Sequence, residues 1–315
     1  MSQVASRPAS SSPVAASTGR FQRWLNRDGW KRLVAGIPYF WLLVFFLAPF
    51  FIVSVISVSK FTYSIPPFTI PSNWAELKAN FNINFGYIIN DSLYYTGYLN
   101  SIKIAAISTV FCLLLGYPMA YGIARSSGST RNILLLLVIL PFWTSFLLRI
   151  YAWIGLLGNN GTINNVLLYL GIIDQPMQMM NTDFAVYIGI VYSYLPFMIL
   201  PLYANLERLD TSLTEAAMDL GSSPSRTFFD VTLPLSIPGI IAGSMLVFIP
   251  ATGEYVIPVL LGAGDSPMIG RVLYDEFSLN TDWPVASAVA VVLLMLLVVP
   301  IMMFNHYQAK AEGFE

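Results

Sequence analysis

The sequence predicts an all-α polytopic membrane protein with six transmembrane helices. Three observations predict it. Of 315 residues, 56% are hydrophobic and only 10% are charged, where a soluble domain carries about 25% charged residues. Apolar runs recur along the whole chain at about the 20-residue length a bilayer span needs. The polar stretches between the runs alternate in their content of Lys and Arg.

The elements follow in order. Residues 1–32 are rich in Ser, Ala and Pro and then basic, with Arg20, Arg23, Arg27, Lys31 and Arg32; this composition predicts a disordered tail. The apolar run from 33 to 58 is longer than a secretory signal core, so it is read as an uncleaved first span. Five further spans are expected near 100–124, 132–157, 184–206, 237–262 and 284–305, with Tyr and Trp at several ends as in an aromatic belt. Pro38, Pro49, Pro118, Pro141, Pro196 and Pro250 fall within spans, and each invites a kink by removing a backbone hydrogen bond. The membrane domain thus covers 33–307, and 308–315 form a short C-terminal tail.

Six spans put both ends on one side, and the basic residues decide which. The tail, the 125–131 loop, the 207–236 loop and the C-terminus hold Arg7, Arg20, Arg23, Arg27, Lys31, Arg32, Arg125, Arg131, Arg208, Arg226 and Lys310. The other loops hold only Lys60, Lys78 and Arg271. Lys103 and Arg149 lie within spans near their outer ends, where they can snorkel. The termini and the 207–236 loop are therefore expected in the cytoplasm, with 60–98 and 263–283 outside.

Several function classes drop out. A net charge of −1 argues against a nucleic-acid partner. Cys112 has no second cysteine for a disulfide or a metal site. His306 sits at the rim of the last apolar run and reads as an interface residue. No nucleophile–base set and no metal-ligand spacing occurs. An intramembrane enzyme would need paired acids, or His with Ser or Asp, at bilayer depth. No internal repeat supports an inverted-repeat transporter.

The polar stretch at 211–234 is the most informative segment. Ser212 and Glu215 fit a capping box, and Leu213, Ala216, Ala217 and Leu220 share one helical face. Gly221 fits a helix stop. Ser223 and Pro224 fit a second helix start, and Leu233–Pro234 its end. Two short helices joined at Gly221 are expected, with Ala216 and Ala217 leaving a shallow groove. An amphipathic connector lying on the membrane is the alternative.

Glu215-Ala216-Ala217, Gly221, Val231 and Leu233-Pro234 resemble the E-A-A-x3-G-x9-I-x-L-P loop of ABC importer permeases, with Val231 the one departure. The resemblance extends over most of the chain beyond the tail. It implies a type I importer permease fold in a bacterial inner membrane. Glu215, Ala216, Ala217 and Gly221 would then form a coupling helix that docks on a cytoplasmic ATPase dimer. The stretches "GIIAGSMLVFIPATGEYVIPVLLG", "MIGRVLYDEF" and "DWPVASAVAVVLL" are similar to the polyamine branch, and most similar to its putrescine permeases. The family implies a second homologous permease and a periplasmic polyamine-binding protein. No G-x-x-x-x-G-K-[ST] phosphate loop occurs, so ATP and Mg are expected on the partner ATPase and no cofactor on this chain. A permease for spermidine, ferric iron or an oxyanion is the alternative within transport.

The pathway candidates follow from the cargo. Glu254 is the one acid well inside a span, and an intramembrane carboxylate is costly unless it faces a cavity or a partner. It reads as a contact for an alkylammonium, or else as a structural or protonated acid. Tyr255, Trp143, Tyr151, Tyr192 and Tyr194 offer ring faces for cation–π contacts worth about 0.5–2 kcal/mol each. Aromatics in spans also serve as packing or belt residues. In the outer loop, Arg271 and Asp275 are spaced i, i+4 beside Glu276. They read as a docking edge for the binding protein or as a surface ion pair. The acids Asp265, Asp275, Glu276 and Asp282 outnumber Arg271 there and would draw in cations.

Overall fold

The computed structural model describes residues 30–264 and 267–311. Most of the expected tail at 1–32, the last residues 312–315, Asp265 and the side chain of His306 lie outside the described residues. Two compact units are present, one ending at Ile52 and one starting at Val53. The N-terminal span consists of α1 (Trp30–Leu42), a π-helical turn (Leu43–Leu47) and α2 (Ala48–Ser57).

The second unit continues with a hairpin, β1 (Lys60–Phe61) against β2 (Phe68–Thr69), and α3 (Trp74–Asn90). From the sequence, 60–98 is expected to be a loop. The start of α3 is nevertheless written in it: the Asn73 side chain accepts the Glu76 N–H at 2.8 Å, and Glu76 accepts the Ser72 N–H at 2.9 Å. These bonds are a variant of the capping box, in which Glu76 reaches the residue before the Asn73 cap. They hold the Glu76 carboxyl below the ordinary range, chiefly through the Ser72 N–H.

The long helix α4 (Ser92–Arg125) starts eight residues before the expected span. Asp91 caps it by accepting the Leu93 N–H at 2.9 Å, so the Tyr-rich outer turns stay helical. The third span is broken. α5 (Gly128–Ile139) and a 3-10 turn (Leu140–Trp143) containing Pro141 bend by 91° into α6 (Phe146–Leu157) and α7 (Thr162–Tyr169). Proline without an N–H accounts for the break. α8 (Asp183–Glu207) matches its expected span and passes Pro196 and Pro201 without one.

Two short helices follow, α9 (Thr211–Asp219) and α10 (Pro224–Thr227). A π-helical turn (Phe228–Thr232) and α11 (Leu233–Leu235) then bend by 63° into α12 (Ile237–Thr252). The expected span at 237–262 is also corrected: it stops at Thr252, and α13 (Val256–Leu261) is a separate helix. α14 (Ile269–Tyr274), a π-helical turn (Asp275–Leu279) and α15 (Trp283–Ala311) complete the chain. Among the described residues, four helices are long and apolar enough to cross a membrane, and up to six spans result if each bent pair counts as one.

α4, α8 and α12 pack closely on one another. Met198 of α8 sits where both neighbours lack a side chain. A β-carbon on Gly116 would lie 2.9 Å from Met198 Cγ, and one on Gly243 would lie 2.8 Å from Met198 Sδ. Small residues permit this approach, the packing that holds helices together where lipid removes the hydrophobic drive. Ser101 Oγ, on α4, accepts the Ile269 N–H at 2.8 Å, which fastens α14 to the outer part of the bundle.

Candidate functional site

Two sites emerge, one at each end of the α8–α12 pair. The first is the connection from α8 to α12. α9 begins one residue earlier than the expected cap: Asp210, not Ser212, caps it, accepting the Ser212 N–H at 2.9 Å. A charged acceptor just before the helix suits its positive N-terminal dipole, and that bond lowers the Asp210 pKa. At the other end Gly221 has φ +89°. Its N–H reaches Met218 O at 2.9 Å and the Ser222 N–H reaches Ala217 O at 3.1 Å. This is the Schellman closure that favours glycine. Ser223 accepts the Arg226 N–H at 3.4 Å, with Pro224 at the first helical position, as expected. The second helix ends at Leu235, one residue past the expected Leu233–Pro234 stop, and the chain then bends by 63° into α12.

Glu215 and Ala216 are exposed and Ala217 is half-buried. Leu213, Met218 and Phe229 are exposed, and Leu220 is 90% exposed. Apolar side chains presented this way on a polar, well-capped helix make this face a candidate interaction surface. The arm beyond Gly221 is held to α4. Phe228 stands edge-on to Tyr117 and Tyr121 with ring centroids 5.6 and 5.8 Å apart. The Tyr117 and Ser236 hydroxyls are 2.9 Å apart at the 63° bend.

The second site is the break between α12 and α13. Glu254 lies in it and is 8% exposed. One carboxylate oxygen accepts from the Tyr194 hydroxyl on α8. The other accepts the N–H groups of Val256 at 3.0 Å and Ile257 at 3.4 Å. Glu254 therefore caps α13 and clasps α8 at once. α14 packs directly on the break, for a β-carbon on Gly270 would lie 2.5 Å from Gly253 O and 2.6 Å from Glu254 O. No cationic side chain is paired with Glu254 among the described residues. A carboxylate offers about four acceptor sites, so three donors leave room for one more.

The other pathway candidates separate. Tyr255 stacks on Tyr274, ring centroids 4.1 Å apart, a partner not foreseen from the sequence. Tyr192 turns to Trp153, 5.5 Å away. Trp143, beside the 91° bend, and Tyr151 are exposed. Among the described side chains only Tyr194 hydrogen-bonds to Glu254. Arg149 does not reach out as expected. Its guanidinium lies over the rings of Phe142 and Phe146 at 5.5 and 5.7 Å.

In the outer segment Arg271 and Asp275 form the expected i, i+4 ion pair at 3.8 Å. Glu276 points away from it. It is buried and accepts from the Tyr94 hydroxyl at 2.8 Å and the Asn280 amide at 2.9 Å. The signal is the helical turn itself, which sends adjacent residues to different faces. Asp282 caps α15, accepting the Val285 N–H at 3.0 Å. Burial pushes its carboxyl above the usual range, against that bond, and the Glu276 charge adds to the rise.

Residues 112–311 match the family described as "Binding-protein-dependent transport system inner membrane component". The chain is 40% identical over 285 residues to the spermidine/putrescine transport system permease protein PotB of Haemophilus influenzae, covering 89% of this chain and 94% of that protein. It is 45% identical over 213 residues to PotB of Escherichia coli, covering 66% and 78%. Its fold is similar to a chain of a bacterial alginate ABC transporter solved in complex with an alginate pentasaccharide-bound periplasmic protein. The TM-score is 0.71 at 15% identity, over 93% of this chain and 98% of that one.

Proposed function

The chain belongs to the family of binding-protein-dependent transport system inner membrane components, and from that membership we propose that it is a permease subunit of an ATP-driven polyamine importer. It is a multi-pass inner-membrane transport subunit and not an enzyme; ATP is hydrolysed by a separate chain.

The observation that carries the reading is the exposed, doubly capped helix pair at 211–234, closed by a left-handed Gly221. Glu215, Ala216, Ala217 and Gly221 dock on the ATPase, which places this loop and both termini in the cytoplasm. ATP and Mg bind to that ATPase. A second homologous permease completes the pore, and a periplasmic polyamine-binding protein delivers the cargo. Arg271 and Asp275 belong to the docking edge for that protein; the buried position of Glu276 removes it from the edge.

Polyamine as the cargo is supported by the names of the PotB relatives and by Glu254, a buried carboxylate without a cationic partner among the described residues. Putrescine is the preferred solute, from the resemblance of the 239–262 stretch to putrescine permeases. Glu254, Tyr194 and Tyr255 line the passage at the α12–α13 break. Tyr192, Trp143 and Tyr151 serve packing and contact surfaces nearby. In the cycle, ATP closes the ATPase dimer, the coupling helices approach one another, and the pore opens to the loaded binding protein. Hydrolysis returns it to the inward state.

The test is purification of the complex from its native membrane, followed by uptake of labelled putrescine and spermidine into proteoliposomes with ATP inside the coupling compartment. An ATPase and a second six-span permease should co-purify, and putrescine uptake should require both ATP and the binding protein. A lone chain, or uptake of neither polyamine by an intact complex, overturns the reading.

A further inference from the structure

Arg131 joins three helix ends with one side chain. It lies in the first turns of α5. Its Nη1 pairs with the carboxylate of Glu207, the last residue of α8. Its Nη2 donates to Ala124 O at 3.4 Å and to Ser126 O at 3.3 Å, at the end of α4. The last carbonyls of a helix have no partner within it and carry the negative end of its dipole, so a guanidinium is well matched there. Lysine cannot reproduce this fork, because its ammonium is a point donor.

The position of this node gives it consequence. Glu207 is three residues before Asp210, the cap of α9. The first arm of the helix pair at 211–234, the handle of the bundle, is thus tied through Arg131 to the α4–α5 turn. Its second arm is tied to the same helix by Phe228 against Tyr117 and Tyr121 and by Ser236 against Tyr117. α4 has 34 residues, about 50 Å at helical rise. Its opposite part holds α14 through Ser101 and Ile269, and the following turn through Tyr94 and Glu276. Gly97 packs against Ile269 and Val272, a β-carbon there lying 3.5 Å from each side chain. A helix is stiff along its axis. Fastened at both ends, α4 moves the outer segment when the handle moves.

We infer that Arg131 is a positioning residue for energy coupling: its bridge from Glu207 to the α4 carbonyls makes α8, α4 and the helix pair at 211–234 move as one body. An exposed ion pair contributes little to stability, so its value here is geometric. This inference rests on the importer reading above.

The experiment uses the reconstituted complex with its binding protein and reads solute imported per ATP hydrolysed. Arg131→Glu is expected to lower that ratio at least about fivefold, the lower range of coupling between sites, while the complex assembles with unchanged Tm. Arg131→Glu combined with Glu207→Arg should recover only part of the loss, because it restores an ion pair while a carboxylate at 131 cannot donate to the Ala124 and Ser126 carbonyls. Arg131→Lys should fall between wild type and Arg131→Met. A ratio equal to wild type in assembled Arg131→Glu or Arg131→Met complexes overturns the inference. So does a loss of ratio that tracks a fall in Tm. If Arg131→Glu does not assemble, the Met and Lys variants decide by the same ratio. Failure of the importer reading is distinguishable, since the wild-type complex itself would then import no polyamine with ATP.

Discussion

Tyr194 on α8 donates its hydroxyl proton to Glu254, 60 residues later in the break between α12 and α13. The same carboxylate caps α13 through the N–H groups of Val256 and Ile257. One acid therefore fixes the geometry of the break by holding α8 and α13 together.

This structural role and the proposed contact with an alkylammonium separate in Glu254→Gln. The amide oxygen can still accept from Tyr194 or from the α13 N–H groups, so the fold and assembly should survive. The carboxylate proposed to attract an alkylammonium is gone. Loss of a charged contact of about 1.4 kcal/mol corresponds to tenfold, so polyamine uptake at equal expression should drop about tenfold. Glu254→Ala should do worse in both respects, because it also strips the α13 cap. Unchanged uptake in Glu254→Gln would assign Glu254 a structural role alone.

Gly221 tests the handle. At φ +89° a β-carbon costs roughly 1–2 kcal/mol, although no atom blocks the space around it. The strain is backbone strain, so the residue's own left-handed preference should rank the variants. Asn, which visits this region, should be tolerated best and Val worst. Gly221→Asp adds a charge beside the exposed apolar face of Leu213 and Leu220. It should leave the chain inserted but reduce uptake per ATP, as measured in vesicles with matched ATPase content. Equal coupling in all of these variants would count against docking at this turn.

The recurring apolar runs, the glycine stop and the second helix cap were legible in the sequence, because each rests on local chemistry. Local rules also misled where two signals competed. Ser212 reads as a cap until Asp210, two residues earlier, is seen to hold the N–H of Ser212 itself. The run at 237–262 is apolar throughout, so hydropathy joins what a buried cap at Glu254 divides. The partners of Glu254, Glu276 and Arg131 come from residues 60, 182 and 76 positions away. No periodicity within one segment encodes such pairings.

Gly270 tests how tightly α14 packs on the break. A methyl group there would meet backbone oxygens of Gly253 and Glu254 at 2.5 and 2.6 Å, and backbone cannot swing aside as a side chain can. Gly270→Ala should therefore destabilise by about 1–3 kcal/mol, the usual cost of overpacking, read as a lower Tm of the purified complex. Gly264, which has open space around it, is the matched control, and Gly264→Ala should change Tm far less. Equal Tm values for the two variants would mean that α14 yields freely at this contact.

Asp282 tests the electrostatics of the outer end. Its folded pKa is raised, by burial first and then by Glu276, so the folded state holds the proton more tightly than the unfolded chain. The ionised carboxylate therefore works against folding. This effect is absent below the unfolded value near 3.8, grows as pH rises through the folded value, and is complete above it. Asn also caps helices well and carries no charge. Asp282→Asn should then raise the Tm at neutral pH and lose that advantage as pH falls toward 4. The residue is half-buried, so solvent screening discounts the gain to on the order of 1 °C. Paired thermal scans of the two complexes across pH 4 to 8 read the difference directly. A gain that persists unchanged at acidic pH would show that the amide improves the α15 cap by hydrogen bonding, with no contribution from charge.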